Sequence, residues 1–401
     1  MNSKELDVLM VIEGEIATTH LIEQILTACA DHGIRYRKQF LDKLRVADIK
    51  PNTIPLFIRC ADPLLESWVE LLTEAQHPYL FYIDDNFWEI KGKSPLARYY
   101  QHPLVRHSLE YAVSNAHTII TNSKELANFI LRFNDRVKVL PAFFDFDVIE
   151  DITAQPTDEI RIGFAGSPSR VDDLDIISPI ITPILDRYPS VVFEFAGVFP
   201  KGVNASDRVR FFPHVTDYRE FIRFQAGRNW AVGLAPLADH EANRCKTDNK
   251  YREYGACGIA GVYSAIAPYI HSVQADVTGV LVDNAIPSWL NAVMDLLGNS
   301  TKRTALGESA RNHVKDRYCV RSVAGSWAEC FREVDNALRN QRTKSLTKTT
   351  SMMKQLSWRI GKLRLQIVIA HYEGGIPLVL KRSVRRLSRV IVNRAVQEEC
   401  Q

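Results

Sequence analysis

The sequence predicts an α/β protein of two consecutive doubly wound domains, joined by a polar linker and followed by a basic helical tail. Three observations carry this expectation. Short β-rich runs alternate with amphipathic patterns twice over, the segment 151–159 interrupts them, and positive charge is concentrated after residue 338. Strand, helix, strand at this spacing makes parallel sheets with helices on both faces. Two such Rossmann-like units face each other across a cleft, and their ligands bind outside the carboxyl ends of the strands.

In the first unit, 1–150, strands are expected at LDVLMVI (6–12), IRYRKQF (34–40), TIPLFIRC (53–60), YLFYID (79–84), HTIITN (117–122) and VKVLPA (137–142). Amphipathic stretches such as LIEQILTACADHG and PLLESWVELLTEAQ lie between them. DITAQPTDE (151–159) has a proline and no apolar period, and reads as a linker. The alternation restarts in the second unit, 151–338, with EIRIGFAG, VVFEFAG, VRFFPHV, WAVGLAPL, IAGVYSA and TGVLVDN. Residues 301–338 read as wholly helical. The tail, 339–401, carries apolar stripes at Leu356, Ile360, Leu363, Ile367 and at Leu380, Val384, Leu387, Ile391. Both stripes are too short to span a bilayer, and their flanking cations suit an anionic surface.

A chain of 401 residues exceeds one typical core. The first apolar run is too short for a signal-peptide core or a membrane span. Seven scattered cysteines without a close pair read as reduced thiols of a cytoplasmic protein. The net charge of +3 hides a split: from Arg339 onward 14 Lys or Arg face three acids, which leaves the first 338 residues at −8. The tail alone is therefore expected to meet an anionic partner, and the acidic body argues against nucleic acid.

The most informative stretch is 230–264, WAVGLAPLADHEANRCKTDNKYREYGACGIAGVYS. A buried strand ends at Pro236, a polar loop follows, and a helix begins near Thr247 or Asp248, both good N-caps. Gly258 suits its C-terminal stop. Lys250, Glu253, Tyr254 and Cys257 fall on one face of that helix. Arg244 and Lys246 precede its N-terminus, where backbone N–H groups already favour an anion. Cations at such a place suit a diphosphate, and a carboxylate one turn in suits ribose hydroxyls. A solvated charged loop with an ordinary Lys–Glu pair is the alternative.

These residues resemble the donor-site signature of glycosyltransferase family 4 and its bacterial relatives, enzymes of the two-domain GT-B type. The likeness lies in a strand ending near "PL", then "NR-x-K", "K-x-x-EY-x-A-x-G" and a strand closing in Ser. RIGFAGSPSR (161–170) resembles the opening of that family's second domain, and APYIHSVQADVTGVLVDN (267–284) the segment after the signature. The resemblance implies that Glu253 binds the donor ribose, with Tyr254 beside it. The first glutamate of the family's pair falls at Cys245, which leaves Lys246 and Lys250 as the nearest replacements. It implies a diphosphate site at Gly166, Ser167 and Arg170, shared with Arg244 and Lys246.

In the first unit Asp84 and Asp85 follow a strong apolar strand. Many relatives have a His-Asp pair facing the acceptor at this place. Paired carboxylates suit an acceptor hydroxyl, whose proton they accept or orient. A helix cap is the alternative, and a metal role is disfavoured because the metal-binding Asp-x-Asp belongs to another fold. Thr18 and Thr19 read as N-caps, and Asp172-Asp173 as the acidic start of a helix. No His set has metal-ligand spacing.

The expectation is sugar transfer from a nucleotide diphosphate-sugar to a hydroxyl of a glycan or lipid-linked acceptor, in surface polysaccharide or glycolipid assembly. The resemblance implies retention, and neither a cofactor nor a metal is expected. A nucleotide-sugar epimerase of the same fold and a non-catalytic scaffold are the alternatives. The basic tail is expected to attach peripherally to an anionic membrane surface; packing on the body or pairing between subunits is the alternative.

Overall fold

The computed structural model describes residues 5–153 and 157–340, together with Leu363. The expected tail stripes at 356–367 and 380–391 lie outside these residues, Leu363 excepted.

Twelve strands form two parallel sheets of six. The first holds β1 (Leu6–Ile12), β2 (Ile34–Phe40), β3 (Thr53–Ile58), β4 (Leu80–Tyr82), β5 (Thr118–Thr121) and β6 (Val137–Val139), in the order β2-β1-β3-β4-β5-β6. The second holds β7 (Ile160–Ala165), β8 (Val191–Ala196), β9 (Val209–Phe212), β10 (Val232–Ala235), β11 (Ala260–Ser264) and β12 (Val280–Val282), in the order β12-β11-β10-β7-β8-β9. Every residue of β3, β8, β10 and β11 is buried. That is the pattern of a parallel sheet covered on both faces, and it explains why these runs read as continuously apolar. Each sheet reverses its winding once, between β1 and β3 and between β7 and β10. A crevice at the carboxyl ends of the strands opens at such a reversal. Loops after β1, β3, β7 and β10 therefore border the places where a ligand fits.

Domain membership departs from the expected boundary at one element. The helix Val320–Asn340, placed with the second unit on sequence order, packs on the first sheet. Its Val323, Ala324, Trp327, Phe331 and Val334 share one apolar cluster with Val8 and Met10 of β1 and with Ile22 and Ile25 of the helix Ala17–Ala28. Trp327 lies 5.7 Å from the Tyr82 ring. Sequence order cannot reveal this, because the helix is amphipathic in either position. Burial of each large apolar side chain contributes about 1.5–3 kcal/mol, so the helix is a firm strap across the two domains.

The connection near 143–151 is held as well. Arg252, 2% exposed, donates from Nη1 to Phe143 O at 2.8 Å. Phe144 N donates to Tyr318 O at 2.8 Å, and Arg223 forks onto Asp151 at 2.6 and 2.9 Å. Among the described residues no helix is long and apolar enough to cross a membrane.

Candidate functional site

Two loops of the second domain meet at its sheet reversal, and one carboxylate joins them. Asp173 Oδ1 accepts from Ala238 N at 2.7 Å, and Oδ2 lies 3.0 Å from Arg170 Nε. It thus ties the loop after β10 to the loop after β7. Its expected role as a helix-start acid is too modest, whereas Asp172 pairs outward with Lys201 at 2.6 Å. Gly166 N donates to Ala196 O at 3.0 Å, and Gly197, at φ +82°, passes so close that a Cβ there would meet Gly166 O at 2.3 Å. The two glycines thus let the backbones at the ends of β7 and β8 pass each other with no side chain between them.

Gly166, Ser167, Arg170, Lys246, Lys250 and Glu253 line one cavity of about 430 Å³, and Asp85 faces them from the first domain. Seven of the ten expected site residues thus come together. The helix expected from Thr247 or Asp248 runs Asn249–Ala256, with Asp248 as N-cap. The Asp248 side chain makes no capping hydrogen bond there. Its carboxylate accepts from Ser272 Oγ at 2.6 Å and Tyr318 Oη at 2.8 Å, and lies 3.0 Å from Arg252 Nε. Burial pushes its carboxyl up, but Arg252 and the hydroxyls hold it below the ordinary value. The helix start is left open, with Thr247, Asn249 and Lys250 on the cavity wall. That end carries partial positive charge.

Glu253 is 6% exposed, and Tyr218 Oη donates to its Oε1 at 3.3 Å. Its other oxygen has no hydrogen-bond partner among the described residues, so it is free for a ligand hydroxyl. Lys250 Nζ donates to Ala165 O and lies 4.8 Å from the Phe164 ring centroid. The Lys246 ammonium has no ion pair or side-chain hydrogen bond among the described residues. Burial pushes both lysines down to about 8, with Arg170 adding repulsion. Two desolvated ammonium groups thus stand beside the loop after β7, where an anion would offset the cost of their burial.

Three expected residues stand elsewhere. Tyr254 is fully buried, donates to Leu234 O at 2.8 Å and fills the space left by Gly233, whose Cβ would meet its ring at 2.7 Å. It is a core residue, because i+4 from Lys250 turns it to the sheet while i+3 keeps Glu253 at the cavity. Arg244 forks onto Asp239 at 2.5 and 2.9 Å, half exposed and off the cavity wall. Asp84 lines a second, larger cavity of about 740 Å³ between the domains. Ala17, Thr216, Tyr218, Thr247 and Asn249 border both cavities.

The N-cap of the helix Ala17–Ala28 is Ile16 and not either threonine; Thr19, three positions on, accepts from Ile16 N through Oγ1 at 2.9 Å. Thr18 instead donates to Asp84 Oδ2 at 2.9 Å, a contact across 66 positions that no local pattern foretells. Cys245, where the resemblance places a glutamate, is 2% exposed and accepts from Asn86 Nδ2 at 3.4 Å. It therefore belongs to the contact between domains, not to the cavity wall. Among the described residues Glu15, His20 and Glu23 stand close enough to share a cation. The Lys38 ammonium already lies 2.9 Å from both glutamates.

Solved structures share this architecture. Sucrose-phosphate synthase from Thermosynechococcus elongatus superposes with a TM-score of 0.61 at 14% identity, over 83% of this chain and 100% of that one. HepE of Anabaena in complex with UDP follows at 0.59 and 14%, over 82% and 100%. The fold is GT-B. A glycosyltransferase from Rickettsia africae shares the GT-B fold at 0.56 and 10% identity, over 84% and 100%. No family model matches the chain, and no curated protein matches it in sequence. Identity this low carries the GT-B architecture alone.

Proposed function

We propose that the chain is a glycosyltransferase that moves a sugar from a nucleoside diphosphate-sugar to an acceptor hydroxyl. The observation that supports it is the smaller cavity, where Glu253 offers a free carboxylate oxygen beside two desolvated lysines and a glycine loop. Glu253 holds the ribose. Lys246, Lys250, Arg170 and the helix start hold the diphosphate and stabilise the charge it gains as it leaves. These cations stand in for a divalent ion, so transfer needs no metal.

The larger cavity receives the acceptor, a glycan or lipid-linked hydroxyl of surface polysaccharide or glycolipid assembly. The acceptor oxygen bonds to the anomeric carbon, the bond to the phosphate oxygen breaks with its electron pair, and Asp85 takes the proton. Retention follows from the resemblance of 230–264 to family 4. Free thiols at Cys29, Cys60, Cys245, Cys257, Cys319 and Cys330 agree with a cytoplasmic setting.

HepE has been solved with UDP-glucose, which makes that the first donor to offer, followed by GDP-, ADP- and CDP-sugars. Nucleoside diphosphate release should depend on acceptor and survive EDTA. Conversion of the donor without any acceptor would mark an epimerase. Activity lost to EDTA and restored by Mn²⁺ would remove the metal-free mechanism.

A further inference from the structure

The end of β3 carries a residue the transfer chemistry has not used. Arg59 has φ +53°, the left-handed region that side chains other than glycine's enter against steric preference. Such an outlier persists only where its surroundings hold it, and it is a reason to look for function. Arg59 N still donates to Tyr82 O at 2.9 Å, so the turned backbone stays tied to β4.

The side chain runs beneath the loop that follows β4. There one nitrogen, Nη1, pairs with Asp84 Oδ1, lies 3.1 Å from Asp85 Oδ2 and donates to Thr18 Oγ1 at 3.4 Å. The guanidinium carbon is 4.8 Å from the centroid of Phe87, whose ring stacks on Tyr100 at 4.1 Å. The arginine is thus fixed from below by an aromatic pair and from above by two carboxylates.

The carboxylates are not equivalent. Asp84 has both oxygens engaged, by Arg59 and by the Thr18 hydroxyl, and its side chain is 13% exposed. Asp85 has only Oδ2 engaged among the described residues, is 44% exposed and lines the smaller cavity. We propose that Arg59 is a positioning residue that holds Asp84 and Asp85 together and turns the free oxygen of Asp85 toward the acceptor hydroxyl. This rests on the glycosyl-transfer reading.

Two carboxylates meeting at one nitrogen share a proton unless a cation stands between them. A guanidinium supplies that cation at every working pH. Burial holds the Asp84 carboxyl above its ordinary value, with Arg59 limiting the rise and the charge of Asp85 adding to it. The other groups facing the pair are Thr18 from the helix Ala17–Ala28, Tyr82 of β4, Tyr100, and Lys246 from the donor side. Burial keeps both phenols neutral. Arg59 is the cation in direct contact with both acids.

The test measures kcat against pH for Arg59→Met and Arg59→Lys with whichever donor the wild type uses, and donor affinity by calorimetry. Arg59→Met should lower kcat at pH 7 by about tenfold or more and move the acid limb up by about one pH unit or more, with donor Kd within about twofold. Arg59→Lys should restore the limb and most of the turnover. A methionine variant whose limb stays in place, or whose donor affinity falls in parallel, overturns the proposal. If that variant does not fold, Asp84→Asn decides: losing the like charge should move the limb to lower pH, and an unmoved limb overturns the proposal equally. Wild-type protein that transfers no sugar sinks the functional reading itself, whereas transfer with an unmoved limb sinks only the role of Arg59.

Discussion

Donor affinity should rest on Glu253 and on the two lysines beside the helix start, by different physics. Glu253→Ala leaves ribose hydroxyls unpaired in a buried place, which costs about 1–3 kcal/mol. Calorimetry on the folded variant checks this, and unchanged affinity removes the ribose role. The lysines impose a pH dependence. Their ammonium groups are held at about 8 by burial, so they are charged below that value and lose their protons above it. Donor affinity should therefore be level from pH 6 to 7 and fall as pH rises through about 8. The stability of the free protein should follow the opposite trend: with pKa values below the unfolded 10.5, these lysines destabilise it least at high pH. Affinity that stays flat to pH 9 would exclude the lysines from the diphosphate. Lys246, Lys250 and Glu253 were legible because residues on one short helix keep their spacing. Tyr254 misled because one step along that helix is a turn of 100°. Arg59, Arg252 and the tie that Asp173 makes between two loops are not legible, since each acts through partners between 65 and 109 positions away or in another loop.

Among the elements, the helix Val320–Asn340 has the consequence most open to measurement. It leaves the second domain and buries Trp327 and Phe331 in the first, which fixes how far the two cavity walls can separate at this edge. Trp327→Ala should cost about 3–5 kcal/mol, the usual loss for a buried tryptophan. Urea unfolding measures the loss and hydrogen exchange locates it. Faster exchange is expected in β1, β3 and the helix Ala17–Ala28. Faster exchange confined to β7–β12 would return the helix to the second domain. The strands β3, β8, β10 and β11 are readable from near-continuous apolar runs, because parallel strands covered on both faces leave little room for polar residues. The crossing of the last helix was not readable, because an amphipathic face states that it is buried but not against what.

For the whole molecule, charge is the remaining organising fact. The body is acidic and the segment after residue 338 is strongly basic, so an anionic partner would meet the chain at that end. Lys381, Arg382, Arg385, Arg386, Arg389 and Arg394 flank apolar residues at helical spacing, the pattern of a segment that lies on a membrane surface. At about 1 kcal/mol for each basic residue near an anionic leaflet, six suffice for reversible attachment. We propose that this brings the cavity to a lipid-linked acceptor, which fits the larger cavity's place between the domains. Coulombic attraction over these distances is screened by salt, so the binding must weaken as ionic strength rises. Flotation of the full chain should succeed with anionic vesicles at low salt and fail with neutral ones. A chain ending at Leu338 should stay in solution while keeping its nucleotide affinity, since the donor cavity lies wholly before that residue. If the shortened chain floats as before, or if truncation splits a dimer and leaves vesicle binding intact, the basic segment serves assembly and the acceptor reaches the enzyme from solution.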